Sequence, residues 1–310
     1  MKITSKLIAF FMTTIMISCL TGCVANISIY DHSDNYTSGD FETTNEVTDL
    51  KINWSSGKVN VSYHDKDTIS VTETCNVELK DSHKVHTWLD GKTLNIRFCK
   101  SGESFNLTNA EKKLEVKLPR NTELANLSYN GSSASASFND ISATDFNVNT
   151  SSGSVKLSEC SATTFILDSS SGSIHLDQKG ESEKIKANAS SGSVIINSQT
   201  VNNLSADTSS GKIELKVNSA EDISTNASSG KTELHLSKIP SKTKIDASSG
   251  DITLYVPKDA DFSADVDTAS GDFNSEIPLS NKDNLYISGS GANTIKINTS
   301  SGDVQIKVEK

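Results

Sequence analysis

The stretch Asn203-Leu204-Ser205-Ala206-Asp207-Thr208-Ser209-Ser210-Gly211-Lys212-Ile213-Glu214-Leu215-Lys216-Val217 is two alternating runs joined by Ser-Ser-Gly. Before the glycine, Leu204 and Ala206 share one parity; after it, Ile213, Leu215 and Val217 share another. Successive side chains of a strand point to opposite faces, so each set lines a single face. The segment reads as strand, bend, strand.

Outward from Gly211 the pattern recurs. Ser-Ser-Gly ends at Gly57, Gly153, Gly172, Gly192, Gly211, Gly230, Gly250 and Gly302, and a relaxed copy ends at Gly271. From Gly153 to Gly271 the spacings are 19, 20, 19, 19, 20 and 21 residues, and Ser132-Ser133-Ala134 is a degenerate copy 19 residues before Gly153. A fixed period of this length marks a repeat architecture. Seven residues before the glycine stand Phe146, Phe165, Ile185, Leu204 and Ile223; five before stand Val148, Leu167, Ala187, Ala206, Ile245 and Val266. Two after stand Val155, Ile174, Val194, Ile213, Ile252, Phe273 and Val304; four after stand Leu157, Leu176, Ile196, Leu215, Leu234, Leu254 and Ile306. A weaker set nine after the glycine, Ala162, Val201, Ala220 and Ile239, points to a variable turn with a short third strand.

No single unit buries its apolar face alone. Stacking in register at ~4.8 Å lets each column continue through a shared core. The expected fold is therefore all-β, a β-solenoid with about 19–20 residues per rung. About seven to nine rungs would make a rod ~40 Å long at that spacing. A tight bend in every rung predicts positive φ at its glycine.

Four residues before the glycine runs a polar column: Asn130, Asn149, Asp168, Asn188, Asp207, Asn226, Asp246, Asp267 and Asn298. Its parity is opposite to that of the apolar positions, so it faces outward. One reading is a structural ladder, in which Asn and Asp support the bend and their alternation reduces repulsion between rungs. The other is a ligand stripe for Ca²⁺ or sugar hydroxyls at Asn149, Asp168, Asn188, Asp207, Asn226, Asp246 and Asp267.

The hydrophobic fraction, 35%, is low, where about 45–50% is usual. Disorder does not follow, because the apolar residues keep strand period. Formal charge is −10, and Arg97 and Arg120 are the only arginines, which disfavours nucleic-acid binding.

Residues 1–22 read as an export signal: Lys2 and Lys6 precede a mostly apolar run from Leu7 to Leu20. That run is shorter than the ~20 residues a spanning helix needs. Leu20-Thr21-Gly22-Cys23 then resembles the lipobox of bacterial lipoproteins, which implies a diacylglyceryl anchor on Cys23. The partner this implies is the membrane, and the location its outer face. Residues 23–46 are polar and read as a flexible tether, 47–120 as an N-terminal β section capping the stack, and 121–310 as the solenoid repeats; 47–310 reads as one continuous domain. Cys75, Cys99 and Cys160 remain after export, and either Cys75 pairs with Cys99 or all three are thiols.

The N-terminal section contains Leu50-Lys51-Ile52-Asn53-Trp54-Ser55-Ser56-Gly57 and Val116-Lys117-Leu118-Pro119, and Ser288-Gly289-Ser290-Gly291 precedes Thr299-Ser300-Ser301-Gly302-Asp303 near the other end. Together with the Thr-Ser-Ser-Gly turns, these resemble the bacterial putative-adhesin family, a β-strand-repeat domain of unknown function common in Gram-positive cell envelopes. The resemblance covers roughly residues 47 to 310. It implies a β-solenoid at the cell surface and transfers no catalytic residue. Departures are the insertion between Gly271 and Gly289 and the degenerate rung at Ala134.

No Gly-x-Ser-x-Gly elbow or Walker-type loop occurs. His83 and His86 would hold a metal on one helix face, but on a strand their odd spacing sends them to opposite sides. Trp54 and Trp88 fit either a sugar site or the end of a β-core. The expectation is a non-catalytic lipoprotein without cofactor or resident metal: an adhesin, envelope scaffold or stress-sensing module binding a surface protein or glycan. The rival is a polysaccharide-binding or polysaccharide-processing β-helix protein. A processing enzyme needs clustered acids or a basic residue on protruding loops, whereas these loops are short and uniform.

Overall fold

The computed structural model describes residues 29–104, 110–282 and 285–309; the export signal and Cys23 lie outside the described residues. All described strands join one sheet wound into a β-solenoid, with two short 3₁₀ turns at Ser33–Asn35 and Asp81–His83. On either side of each central bend burial alternates, as the parity of the apolar residues requires. In Ile213–Ala227, Ile213, Leu215 and Val217 are buried while Glu214 and Lys216 are not.

The rungs pair in parallel and in register, Leu204 to Ile223 and Ile213 to Val194. One hydrophobic core runs unbroken from Val47 to Ile306. In its lower half the rings of Tyr129, Phe138, Phe146 and Phe165 follow one another at centroid distances of 5.8, 5.1 and 5.6 Å. The expected variable turn is absent from the central rungs. Val155–Ser169, Ile174–Ala189, Val194–Thr208 and Ile213–Ala227 are each a single strand running from one bend to the next. Rung-to-rung pairing continues around that corner, with register shifts near Cys160 and Gln178 absorbing the curvature.

The glycines work differently from the expectation. Gly153, Gly172, Gly192, Gly211, Gly230, Gly250, Gly271 and Gly302 are not among the positive-φ residues; in this column only Gly57 is, at φ 88°. What forbids a side chain is axial contact. A Cβ on Gly211 would collide with the carbonyl oxygen of Gly192 and stand 2.5 Å from its carbon. The same holds up the column, each glycine lying over the carbonyl of the one beneath. The bends stack so closely because their backbones also pair: Ser210 N–H donates to Ser190 O at 3.1 Å and Ser229 N–H to Ser209 O at 2.9 Å. Ala134 is a true member of this column, lying between Gly57, whose O accepts the Ser135 N–H, and Gly153.

At both ends the spatial order of rungs departs from chain order. Asn293–Thr299 inserts between Lys242–Ala247 and Phe262–Thr268, so the last repeat in sequence is the penultimate rung in space. Likewise Asp49–Trp54 lies between Thr93–Arg97 and Leu124–Gly131. The N-terminal section therefore extends the stack with rungs of its own. Beyond them, antiparallel strands cover the end: Ile69–Cys75 on Lys112–Pro119 and His86–Asp90 on Thr93–Arg97. Leu285–Ser288 does the same against Phe262–Thr268 at the other end. Capping of this kind hides the open edges that stacked strands otherwise present.

The tether expected over 23–46 is corrected from residue 29 onward. Thr37–Ser38 pairs with His86–Thr87, and Phe41–Thr43 pairs with Ile69–Val71, so this polar segment is spent as edge strand. Its local polarity concealed a backbone that the caps need for pairing. Cys75, Cys99 and Cys160 are all free thiols.

Candidate functional site

The polar column before each bend forms one continuous ladder. Register places Asn149 beside Asp168, Asp168 beside Asn188, then Asp207, Asn226 and Asp246 in turn. In sequence the next member is Asp267, which would set two carboxylates on adjacent rungs. The inserted strand prevents this, since Asn298 lies between Asp246 and Asp267. From Asp168 to Asp267 the alternation of acid and amide is thus unbroken in space.

The amides tie the carboxylates. Asn188 Nδ2 donates to Asp168 Oδ1 and Asn298 Nδ2 to Asp246 Oδ1, both at 2.6 Å. Asp207 accepts from Ser205 Oγ at 3.4 Å, and burial pushes its carboxyl above the usual range. Burial also works against ionisation of Asp246, but hydrogen bonds from Lys244 and Asn298 outweigh it and hold that carboxyl low. Behind the ladder, Thr208 Oγ1 accepts the Gly211 N–H at 3.0 Å and donates to Gly192 O at 3.2 Å, fixing the bend.

Along these bends an open groove of about 400 Å³ runs across several rungs. Asn149, Asp168, Asn188, Asp207 and Asn226 line it together with Ser170, Ser190, Ser209 and Ser228. Asp246 and Asp267 continue the ladder without lining the groove. The surface offers carboxylate acceptors, amide donors and acceptors, and rotatable hydroxyls at each rung, a set suited to polyhydroxylated ligands. Among the described residues no three His, Cys, Asp or Glu side chains converge for a metal ion. His83 faces Glu103 at 3.4 Å, whereas His86 is buried with Nδ1 on Lys84 O.

Features outside the ladder also stand out. Lys112 is fully buried, paired with Glu73 Oε1 at 2.6 Å, and donates to His83 O and Phe98 O. Burial pushes Glu73 up and Lys112 down. The signal was present: Lys112 shares parity with Leu114, Val116 and Leu118, and Glu73 with Ile69 and Val71. Trp54 is core, 1% exposed and edge-on to Phe98, while Trp88 is partly exposed beside Tyr36.

Fold and groove define a repeat protein of the parallel β-solenoid class, whose ladder lies on the outer side of its bends. The chain belongs to the Toastrack DUF4097 family, a domain of unknown function, whose model matches residues 47–307. No curated protein matches it. Among solved structures it is similar to a "putative lipid binding protein" from Parabacteroides distasonis, at 18% identity over 87% of this chain and 97% of that one, TM-score 0.47. It is also similar to a "putative adhesin" from Bacteroides fragilis, at 12% identity over 86% and 95%, TM-score 0.42. A "putative cell adhesion protein" from Clostridium sporogenes matches at 12% identity over 88% and 100%, TM-score 0.20.

Proposed function

We propose that this protein is a non-catalytic binding module on the outer face of a Gram-positive cell membrane, anchored by a diacylglyceryl group on Cys23. Its ligand is a cell-surface glycan held in the bend groove. The observation behind this reading is the continuous groove of Asn, Asp and Ser side chains repeated on the successive rungs from Asn149 to Ser228. Successive carboxylates of the ladder stand about two rungs or ~9.6 Å apart with an amide between them, too far for the ~5 Å pair of a retaining glycosidase and at the wide limit of the ~6.5–9.5 Å of an inverting one. A Ca²⁺ stripe is disfavoured because Asn188 and Asn298 occupy Asp168 and Asp246 oxygens.

The test is a panel of envelope polysaccharides offered to the full chain, with binding and polymer length both measured. Ser190 and Ser209 are exposed groove residues, so Ser190→Tyr with Ser209→Tyr fills the groove without touching the core. Saturable binding, lost in the double variant and without shortening of the polymer, is expected. Chain cleavage, or unchanged affinity in the filled variant, would overturn the reading.

A further inference from the structure

The N-terminal end of the solenoid carries a surface cluster of aromatic rings. Tyr30 and Tyr36 lie 4.9 Å apart, Tyr36 and Trp88 5.6 Å, and His32 and Trp88 5.7 Å, centroid to centroid. All are exposed or partly exposed. The segment bearing them is fixed in place. Tyr30 N–H donates to Ser101 Oγ and Tyr30 OH to Cys99 O, both at 3.0 Å. Arg97 covers the Tyr30 ring at 4.8 Å and donates from Nε to Tyr36 OH at 3.3 Å. Ile29, beside Tyr30, is 82% exposed, and Val77, the other exposed large hydrophobic among the described residues, follows the capping strand of the same end.

The length of chain before this cluster limits where it can be. Six residue steps separate Cys23 from Ile29. At ~3.3–3.6 Å per residue they span at most about 20 Å. A free tether as far as residue 46 would have reached about 80 Å by the same measure. With acyl chains on Cys23, the aromatic end stays within about 20 Å of the anchor, close enough for its rings to enter the ~5–8 Å headgroup layer. Tyr and Trp rings, apolar in body and polar at one edge, are the side chains that favour that layer.

We propose that Tyr30, Tyr36, Trp88 and Ile29 form a membrane-resting foot, seated in the headgroup layer of the bilayer that holds the Cys23 anchor. This rests on the anchored reading given above. The solenoid would then stand on its N-terminal end, with the bend groove along its side facing the space above the membrane.

The two tryptophans make the test specific, because Trp54 is 1% exposed and silent to shallow quenchers while Trp88 is not. The full lipidated chain is reconstituted in phosphatidylcholine–phosphatidylglycerol vesicles brominated on the upper acyl carbons, after mass spectrometry of Cys23. Several-fold quenching of Trp88 emission is expected, absent in Trp88→Phe and strongly reduced in Tyr30→Ser with Tyr36→Ser. Acylated protein whose Trp88 is quenched by aqueous iodide and not by brominated lipid overturns the foot alone. Absence of the acyl mass on Cys23 overturns the anchor and the foot together.

Discussion

Substituting Gly211 by Ala separates two accounts of the bend. Gly211 is not in the left-handed region, so a methyl group adds no backbone strain there. Its cost comes from the rung beneath: the new Cβ would stand on Gly192 O, 2.5 Å from the carbonyl carbon and 3.0 Å from Ser193 N. Ordinary contact begins at 3.4 Å, so the two rungs must part by at least about 1 Å of their ~4.8 Å spacing. Hydrogen bonds that cross this gap include Ser209 and Ser210 N–H to Ser190 O at 3.1 Å, Val194 N–H to Lys212 O at 2.9 Å, and Thr208 Oγ1 to Gly192 O at 3.2 Å. Stretched by 1 Å they pass beyond useful range. Losing two or three at ~1 kcal/mol each, with ~1–3 kcal/mol of overpacking, gives about 3–6 kcal/mol. Gly91 is the control, with φ +58° and no atom within 4 Å of a built Cβ. Gly91→Ala should cost only the ~1–2 kcal/mol of a left-handed alanine. Urea unfolding followed by circular dichroism measures both. If Gly211→Ala costs no more than Gly91→Ala, axial crowding is not the reason for the glycine column.

Three further outcomes follow from the charges. Asn298→Asp should place three carboxylates on consecutive rungs and cost about 2 kcal/mol at pH 7, from two contacts of ~1 kcal/mol each at ~4.8 Å in a water-like dielectric. That repulsion raises the folded-state pKa values, so the deficit in Tm should be present at pH 7 and vanish below about pH 4; an equal deficit at pH 3 would refute it. Burial opposes ionisation of Glu233, but hydrogen bonds and charge from Lys212 and Lys231 hold its carboxyl at about 2. A depressed carboxyl stabilises the fold above its unfolded pKa and loses that contribution as pH falls, so Glu233→Gln should flatten the fall of Tm between about pH 4.5 and 2. Lys112→Met leaves Glu73 buried and unpaired and should cost about 3–5 kcal/mol, while Lys112→Met with Glu73→Leu should recover most of it. Urea midpoints of the two variants check this, and an equally unstable double variant would count against the ion pair as the cause.

Much of the architecture was legible because it is local. Parity along Ile213-Glu214-Leu215-Lys216-Val217 marks the inward face, and the interval between glycines marks the rung. The ladder at Asp168, Asn188 and Asp207 was legible for the same reason, since in-register stacking puts equivalent residues side by side. The groove was not, because its depth depends on how closely successive bends approach one another. The aromatic cluster of Tyr30, Tyr36 and Trp88 was hidden too: its residues come from two distant segments, brought together when Thr37–Ser38 pairs with His86–Thr87.

The amino-acid sequence by itself determined the bend, the period, the inward columns and the outward ladder, each a matter of spacing within about twenty residues. Only the tertiary structure decided which rung lies on which. Rungs of one shape can stack in any order, so their spacing carries no information about neighbours. The choice is made at the ends, where Asn293–Thr299 enters between two earlier rungs and sets Asn298 between Asp246 and Asp267. The glycine shows the same division. Its position was visible in every repeat, but its reason, a carbonyl of the next rung where a methyl group would stand, exists only once the rungs are stacked.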